Sequence, residues 1–236
     1  MPENKFSILC TSEMDISKND FIHDNISIDV IPFIEKKILH NATLKNAVAE
    51  FLHEKITVIF TSKTAVSAVA SMRESLPTWK IYCIENTTRN AVEDFFPGCA
   101  IAGKAANARE LAKKIISNGE SQVVFFSGNK RLGDLPGLLK NAGIQVKECI
   151  VYETNILDKN IQKNYDAIIF LSPSAVQGFF KNHVINSETV LFSMGEKTTE
   201  AIHNFSNNQI IIAQYPDKAQ LLSEAISFLD PQIITH

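Results

Sequence analysis

Ile59-Phe60-Thr61-Ser62-Lys63-Thr64-Ala65-Val66 and Ile169-Phe170-Leu171-Ser172-Pro173-Ser174-Ala175-Val176 are two versions of one pattern. Each is an apolar run, then hydroxyl residues, then the opening of a helical period. The correspondence extends outward. Tyr82–Ala91 returns as Phe192–Ala201, and Ile101, Leu111 and Ile116 pair with Ile211, Leu221 and Ile226. The offset stays near 110 residues without a gap. That period is domain-sized, well beyond the ~20–50 residues of a solenoid repeat. Two similar domains are expected, with a cleft between them.

Bulk properties narrow the function classes. A length of 236 residues suits one or two domains, and the repeat decides for two. A formal charge of −3 disfavours nucleic acid as a partner, because phosphate binders carry a basic face. An anionic ligand must then be held by local groups. Cys10, Cys83, Cys99 and Cys149 are widely spaced and form no C-x-x-C pair, so neither a zinc site nor a disulfide framework is expected. Met1-Pro2-Glu3-Asn4-Lys5 does not lead into a signal-peptide apolar stretch, and no run approaches ~18 apolar residues. A cytoplasmic chain without a membrane span is the expectation.

Short apolar runs alternate with helical periods. Strands are predicted at 6–10, 27–32, 57–61, 80–84, 99–102, 122–127, 145–152, 167–171, 190–194 and 209–213. Helices are predicted at 65–75, 105–118, 133–141, 175–181, 198–204 and 219–229. Wholly apolar strands separated by helices imply parallel sheets covered on both faces. The predicted fold is therefore α/β. It has two similar doubly wound parallel-sheet domains, flavodoxin/Rossmann-like, joined by a two-stranded linker, with one domain discontinuous. Residues 1–30 plus 156–236 form the discontinuous domain, 38–146 the inserted one, and 31–37 and 147–155 the linker strands.

In such sheets ligands bind beyond the carboxyl ends of the strands. Four strand-to-helix junctions carry polar residues there: Thr61-Ser62, Ser172-Pro173-Ser174, Gly195-Glu196-Lys197-Thr198-Thr199, and Ser127-Gly128-Asn129-Lys130-Arg131. The hydroxyls suit N-caps, Pro173 suits a first helical position, and Gly128 is read as a flexible glycine. Helix starts offer free N–H groups and partial positive charge to a carboxylate or phosphate. No P-loop, G-x-G-x-x-G or G-x-S-x-G is present. His23, His40, His53, His183, His203 and His236 form no ligand pair and are read as surface residues. Tyr152 lies on the second linker strand, 147–155, where a hinge-packing role and a catalytic one are equally open.

The ordered set Phe60-Thr61-Ser62, Gly128-Asn129, Val151-Tyr152-Glu153-Thr154, Phe170-Leu171-Ser172-Pro173-Ser174-Ala175-Val176 and Gly195-x-x-Thr198-Thr199 resembles uroporphyrinogen-III synthase. The resemblance runs from about Ile56 to Leu229. It implies two α/β domains on a two-stranded linker and a cofactor-free enzyme of tetrapyrrole (heme) synthesis; separately, no metal is expected and a monomer is the expected state. The implied substrate is hydroxymethylbilane, a small linear tetrapyrrole with eight carboxylates, which loses water and closes with ring D inverted. Carried over by position, substrate binding falls to Thr61, Ser62, Gly128, Asn129, Ser172, Ser174, Gly195, Thr198 and Thr199, and the general acid to Tyr152. The chain departs from the family at Cys10-Thr11-Ser12, where no Arg-Pro follows the first strand, and at Glu85 and Glu196. The competing reading is an intracellular two-domain sensor of small anions without catalysis. A hydrolase or glycosyltransferase ranks behind both, because no nucleophile or metal motif supports it.

Overall fold

The computed structural model describes residues 5–17, 21, 24–130 and 135–232. Arg131, Gly133, His23, His236 and the first four residues lie outside the described residues. Among the described residues the order is β1 (Phe6–Cys10), β2 (Ile26–Val30), β3 (Ile34–Ile38), α1 (Ala42–Leu52), β4 (Thr57–Phe60), α2 (Lys63–Met72), β5 (Lys80–Ile84), α3 (Thr87–Phe95), β6 (Ala100–Ala105) and α4 (Ala108–Ser117). It continues through β7 (Gln122–Gly128), α5 (Leu135–Asn141), β8 (Gln145–Ile156), β9 (Ala167–Phe170), α6 (Pro173–Phe180), β10 (Val190–Ser193), α7 (Glu196–His203), β11 (Ile210–Ile212) and α8 (Lys218–Leu229).

The chain forms two compact units, 1–35 with 155–236, and 36–154, and passes between them within β3 and at the end of β8. The second unit has the sheet order β3-β8-β7-β4-β5-β6. The pairs β4–β5, β5–β6, β4–β7 and β7–β8 are parallel. The chain winds outward from β4 to β6, then returns to lay β7 and β8 on the other side, so the order reverses between β4 and β7. The first unit has the order β11-β10-β9-β1-β2, parallel at every pair. Its reversal falls between β1 and β9. Both are doubly wound α/β units.

The internal repeat is a structural one. β4 and β9 begin at Thr57 and Ala167, α2 and α6 at Lys63 and Pro173, β5 and β10 at Lys80 and Val190, and α4 and α8 at Ala108 and Lys218. Strand registers repeat too: Thr57 pairs with Lys80 and Phe60 with Cys83, as Ala167 pairs with Val190 and Phe170 with Ser193. Ile116 departs from the pattern. It is 40% exposed, whereas Ile226 is buried, because Ile115 takes the inward position on α4.

Side chains alternate across each sheet, so each unit has two cores. In the second unit Phe60, Trp79 and Phe126 pack under α1, α2 and α3. Ile59, Tyr82 and Phe125 pack on the opposite face with α4 and α5. In the first unit Ile8, Ile169 and Phe192 pack under α8. Leu9, Ile168 and Phe170 meet α6 and α7. Burying one such side chain contributes about 1.5–3 kcal/mol, which holds each sheet flat against its helices and fixes where the strand ends lie.

Candidate functional site

In the second unit, β4 ends at Phe60 and β7 at Gly128, on the two sides of the order reversal. An open parallel sheet leaves a crevice at that point. Thr61 and Ser62 follow β4, both half-buried. Ser62 has extended backbone (φ −149°, ψ 133°) and caps α2, its Oγ accepting from the Thr64 N–H at 3.2 Å. That satisfies one of the orphan donors of a helix start.

Tyr152 reaches the same place from β8. Its phenol donates to Ser62 Oγ at 3.3 Å, and the residue is only 8% exposed. A β-bulge puts it there. Ser127 pairs with Ile150, but Gly128 pairs with Tyr152, leaving Val151 as an extra residue. Alternation is interrupted, and Val151 and Tyr152 join the same core cluster. Gly128 provides the room: a Cβ there would lie 2.5 Å from Tyr152 Cε2 and Cζ. The expectation of a flexible glycine is thus corrected. Gly128 is buried in a strand, and what matters is its missing side chain.

Asn129 closes this cluster. Its N–H donates to the Tyr152 carbonyl at 3.2 Å, and its Oδ1 accepts from the Thr154 N–H at 2.9 Å. The structure therefore brings Ser62, Gly128, Asn129 and Tyr152 together, with Thr61 next to Ser62.

In the first unit, β1 ends at Cys10 and β9 at Phe170. Thr11 ties these strands where the order reverses, its Oγ1 donating to the Ile169 carbonyl at 2.7 Å. Ser172 has extended backbone (φ −161°, ψ 154°) and caps α6, accepting from the Ala175 N–H at 3.3 Å, with Pro173 in the first turn. Ser174 follows, half-buried. Gly195 opens α7, its carbonyl accepting from the N–H groups of Thr198 and Thr199, each at 3.0 Å. Nothing lies within 4 Å of a Cβ built on Gly195, so the space over it is open. Thr198 is buried. The Thr199 hydroxyl donates to the Gly195 carbonyl at 3.3 Å and receives from Ser193 Oγ at 2.6 Å. Its first duty is to brace the entry to α7. Glu196 and Lys197, both exposed, set a charge of each sign on that first turn.

Thr11-Ser12, in sequence only a departure from the family pattern, ends β1 as Thr61-Ser62 ends β4, and that parallel marks a further pair of strand-end hydroxyls. The hydroxyls of Ser12 and Ser127 are buried and have no hydrogen-bond partner among the described residues. His183 is corrected from the surface: it stacks on Phe179 at 5.0 Å, accepts from the Ile161 N–H at 2.9 Å, and donates from Nδ1 to the Phe179 carbonyl.

The chemistry on offer is hydroxyl and amide donation. Burial, with Asp29 nearby, pushes the Cys10 thiol up to about 12, and burial pushes Cys83 to about 11, so neither supplies a ready thiolate. Among the described residues no three His, Cys, Asp or Glu side chains converge as a metal site. No described helix is long and apolar enough to cross a membrane.

Comparison with known proteins agrees with this architecture. The uroporphyrinogen-III synthase HemD family model matches residues 25–223. No curated protein matches by sequence. The crystal structure of uroporphyrinogen-III synthetase from Helicobacter pylori aligns with TM-score 0.70 and 17% identity, over 94% of this chain and 99% of that one. A mutant uroporphyrinogen III synthase from Thermus thermophilus aligns with TM-score 0.68 and 11% identity, over 95% and 97%. Such identities speak to the fold. The family match, spanning the inserted unit, β9 to α7 and most of the remaining strand ends, speaks to more: the chain belongs to the uroporphyrinogen-III synthase family.

Proposed function

We infer that the two order-reversal points, with their capped helix starts, hold the carboxylates of hydroxymethylbilane while the chain closes it. The reaction is that of the family: the terminal hydroxymethyl group loses water and the macrocycle closes to uroporphyrinogen III with ring D inverted. Loss of water and ring closure are redox-neutral, so side chains and main-chain amides suffice and no cofactor is required. The observation that carries this reading is the family match, made concrete by Ser62 and Ser172, equivalent caps at the equivalent place in each unit.

The geometry supports a role for each residue. The substrate carries eight carboxylates, and the starts of α2, α6 and α7 present N–H groups and partial positive charge. Each such contact contributes about 0.3–1 kcal/mol. Thr61, Ser62, Ser172, Ser174 and the Gly195–Thr199 turn bind on this reading, with Gly128 and Asn129 shaping the floor around Tyr152. Unassisted closure gives the non-inverted isomer, so the main task is to fold a flexible chain until the substituted carbon of ring D is in reach. Tyr152 assists departure of the hydroxyl as general acid, a contribution of about 10²–10⁴-fold. The enzyme acts on this reading as a cytoplasmic monomer, and its four free cysteines fit a reducing compartment.

Freshly prepared hydroxymethylbilane, mixed with the protein and resolved into product isomers, tests the proposal. The type III macrocycle is expected to predominate. Type I alone, formed at the uncatalysed rate, would overturn it.

A further inference from the structure

Ser62 Oγ stands at a crossing of two hydrogen bonds. It accepts from the Thr64 N–H at 3.2 Å and from the Tyr152 phenol at 3.3 Å. A serine oxygen offers two lone pairs and one proton. Both acceptor positions are therefore taken, and what Ser62 has left is its own proton to give. Tyr152 has the opposite constraint: its single proton is directed at Ser62. The equivalent cap in the other unit, Ser172, accepts from the Ala175 N–H, one residue further into its helix. Among the described residues the phenol contact belongs to one copy of the repeat. Its geometry is held from behind, by the missing side chain of Gly128 under the ring and by the Asn129 N–H on the Tyr152 carbonyl.

We propose that Ser62 is the group through which Tyr152 delivers its proton to the departing hydroxyl. The inference rests on the reading above, in which Tyr152 is the acid. In the step, the substrate's terminal hydroxyl oxygen takes the Ser62 proton as Ser62 Oγ takes the proton of Tyr152. The C–O bond breaks with its electron pair on oxygen, and water leaves. The organic fragment keeps the positive charge, delocalised over its pyrrole, and the negative charge rests on the Tyr152 oxygen. After ring closure, the proton shed as the attacked pyrrole regains aromaticity returns along the same pair of hydroxyls. Serine and tyrosine end as they began, and the sum is substrate to macrocycle plus water.

The test is a double-mutant cycle with the full-length chain and hydroxymethylbilane, reading kcat and KM separately. Ser62→Gly removes the hydroxyl, yet glycine is itself an accepted N-cap, so folding is retained. Ser62→Thr restores a hydroxyl. Expected are losses in kcat of about 10²–10⁴-fold for Tyr152→Phe and for Ser62→Gly, with the double variant no slower than the slower single one. Ser62→Thr is expected to recover most of the rate. If Tyr152→Phe is slow while Ser62→Gly keeps the normal kcat, or if the two losses multiply, the relay is wrong and the tyrosine acid stands. A normal rate for Tyr152→Phe removes both.

Discussion

Gly128 lies flat against the ring of Tyr152: a methyl group on its Cα would meet Cε2 and Cζ at 2.5 Å and the phenol oxygen at 2.9 Å. Real carbon atoms do not approach so closely, so Gly128→Ala must move the ring or open the β7–β8 pairing. Overpacking of this kind costs about 1–3 kcal/mol. A displaced ring also leaves Ser62. The variant is therefore expected to unfold at lower denaturant and to lose activity together. In a Tyr152→Ala background, itself destabilised by the lost buried ring, Gly128→Ala should cost little further stability, because the clash is gone, while the activity stays lost. Wild-type stability in Gly128→Ala alone would show that the ring is not held as described.

A second polar cluster lies at the opposite, amino-terminal ends of the strands. Glu120 accepts from Thr57 Oγ1 at 2.9 Å and from the Tyr82 phenol at 2.7 Å, and pairs with Lys80. Its side chain is 10% exposed. Burial pushes the carboxyl up, but the bonds from Lys80, Tyr82 and Thr57 outweigh it and hold the pKa below its ordinary value. Asp29 behaves alike, burial being outweighed by Lys163 and Tyr165. For a depressed carboxylate, stability is fully present above the unfolded pKa, about 4.3 for Glu, and is lost as pH falls through the folded value. Urea unfolding from pH 7 to pH 3 should show falling stability with acid. Glu120→Gln should lower stability at pH 7 by about 1–3 kcal/mol and flatten the acid limb. An equally steep limb in the variant would rule out this carboxylate as its source.

What the sequence revealed follows from how each element is buried. β4, β5, β9 and β10 are covered on both faces and read as apolar runs, while Ser62 and Ser172 announced α2 and α6 as caps. β3 falls in the predicted linker strand 31–37 but shows no apolar run, because Ile34-Glu35-Lys36-Lys37-Ile38 is an edge strand whose charged middle is exposed. α3 shows no apolar stripe in the sequence, because it buries only Thr88, Ala91 and Val92. α1 had such a stripe in Leu44, Val48, Phe51 and Leu52 and could have been assigned. The site divides in the same way. Hydroxyls at strand ends are visible in a string of letters. The bulge at Val151, which alone turns Tyr152 onto Gly128, depends on pairing between strands distant in sequence.

Two glycines of the first unit separate structure from function. A Cβ on Gly178, in α6, would sit 2.7 Å from the Phe33 carbonyl oxygen. That oxygen already accepts from the Leu157 N–H, so the backbone there has little freedom to retreat. Gly178→Ala is expected to lose about 1–3 kcal/mol. Gly195→Ala meets nothing within 4 Å, and its φ of 163° is extended backbone open to any residue. Its stability should stay within about 0.5 kcal/mol of the parent. The open space over Gly195 is where the substrate approaches on the present reading, so KM should rise while Tm does not. A Gly195→Ala enzyme with unchanged KM would remove this turn from the binding surface.

Asn86 stores strain in the equivalent turn of the other unit. It opens α3 with φ 65° and ψ −128°, the one non-glycine residue at positive φ among those described, and its side chain makes no capping bond. Such backbone costs an L-residue about 1–3 kcal/mol, and glycine adopts it freely. Against this, glycine gains entropy in the unfolded chain, worth about 0.4–1 kcal/mol. The balance favours the substitution. Asn86→Gly is expected to raise stability by about 1 kcal/mol and Tm by about 2–4 °C. Thermal and urea unfolding of the variant beside the parent provide the check. A lower Tm would mean that the asparagine side chain does something in this turn that outweighs its strained backbone.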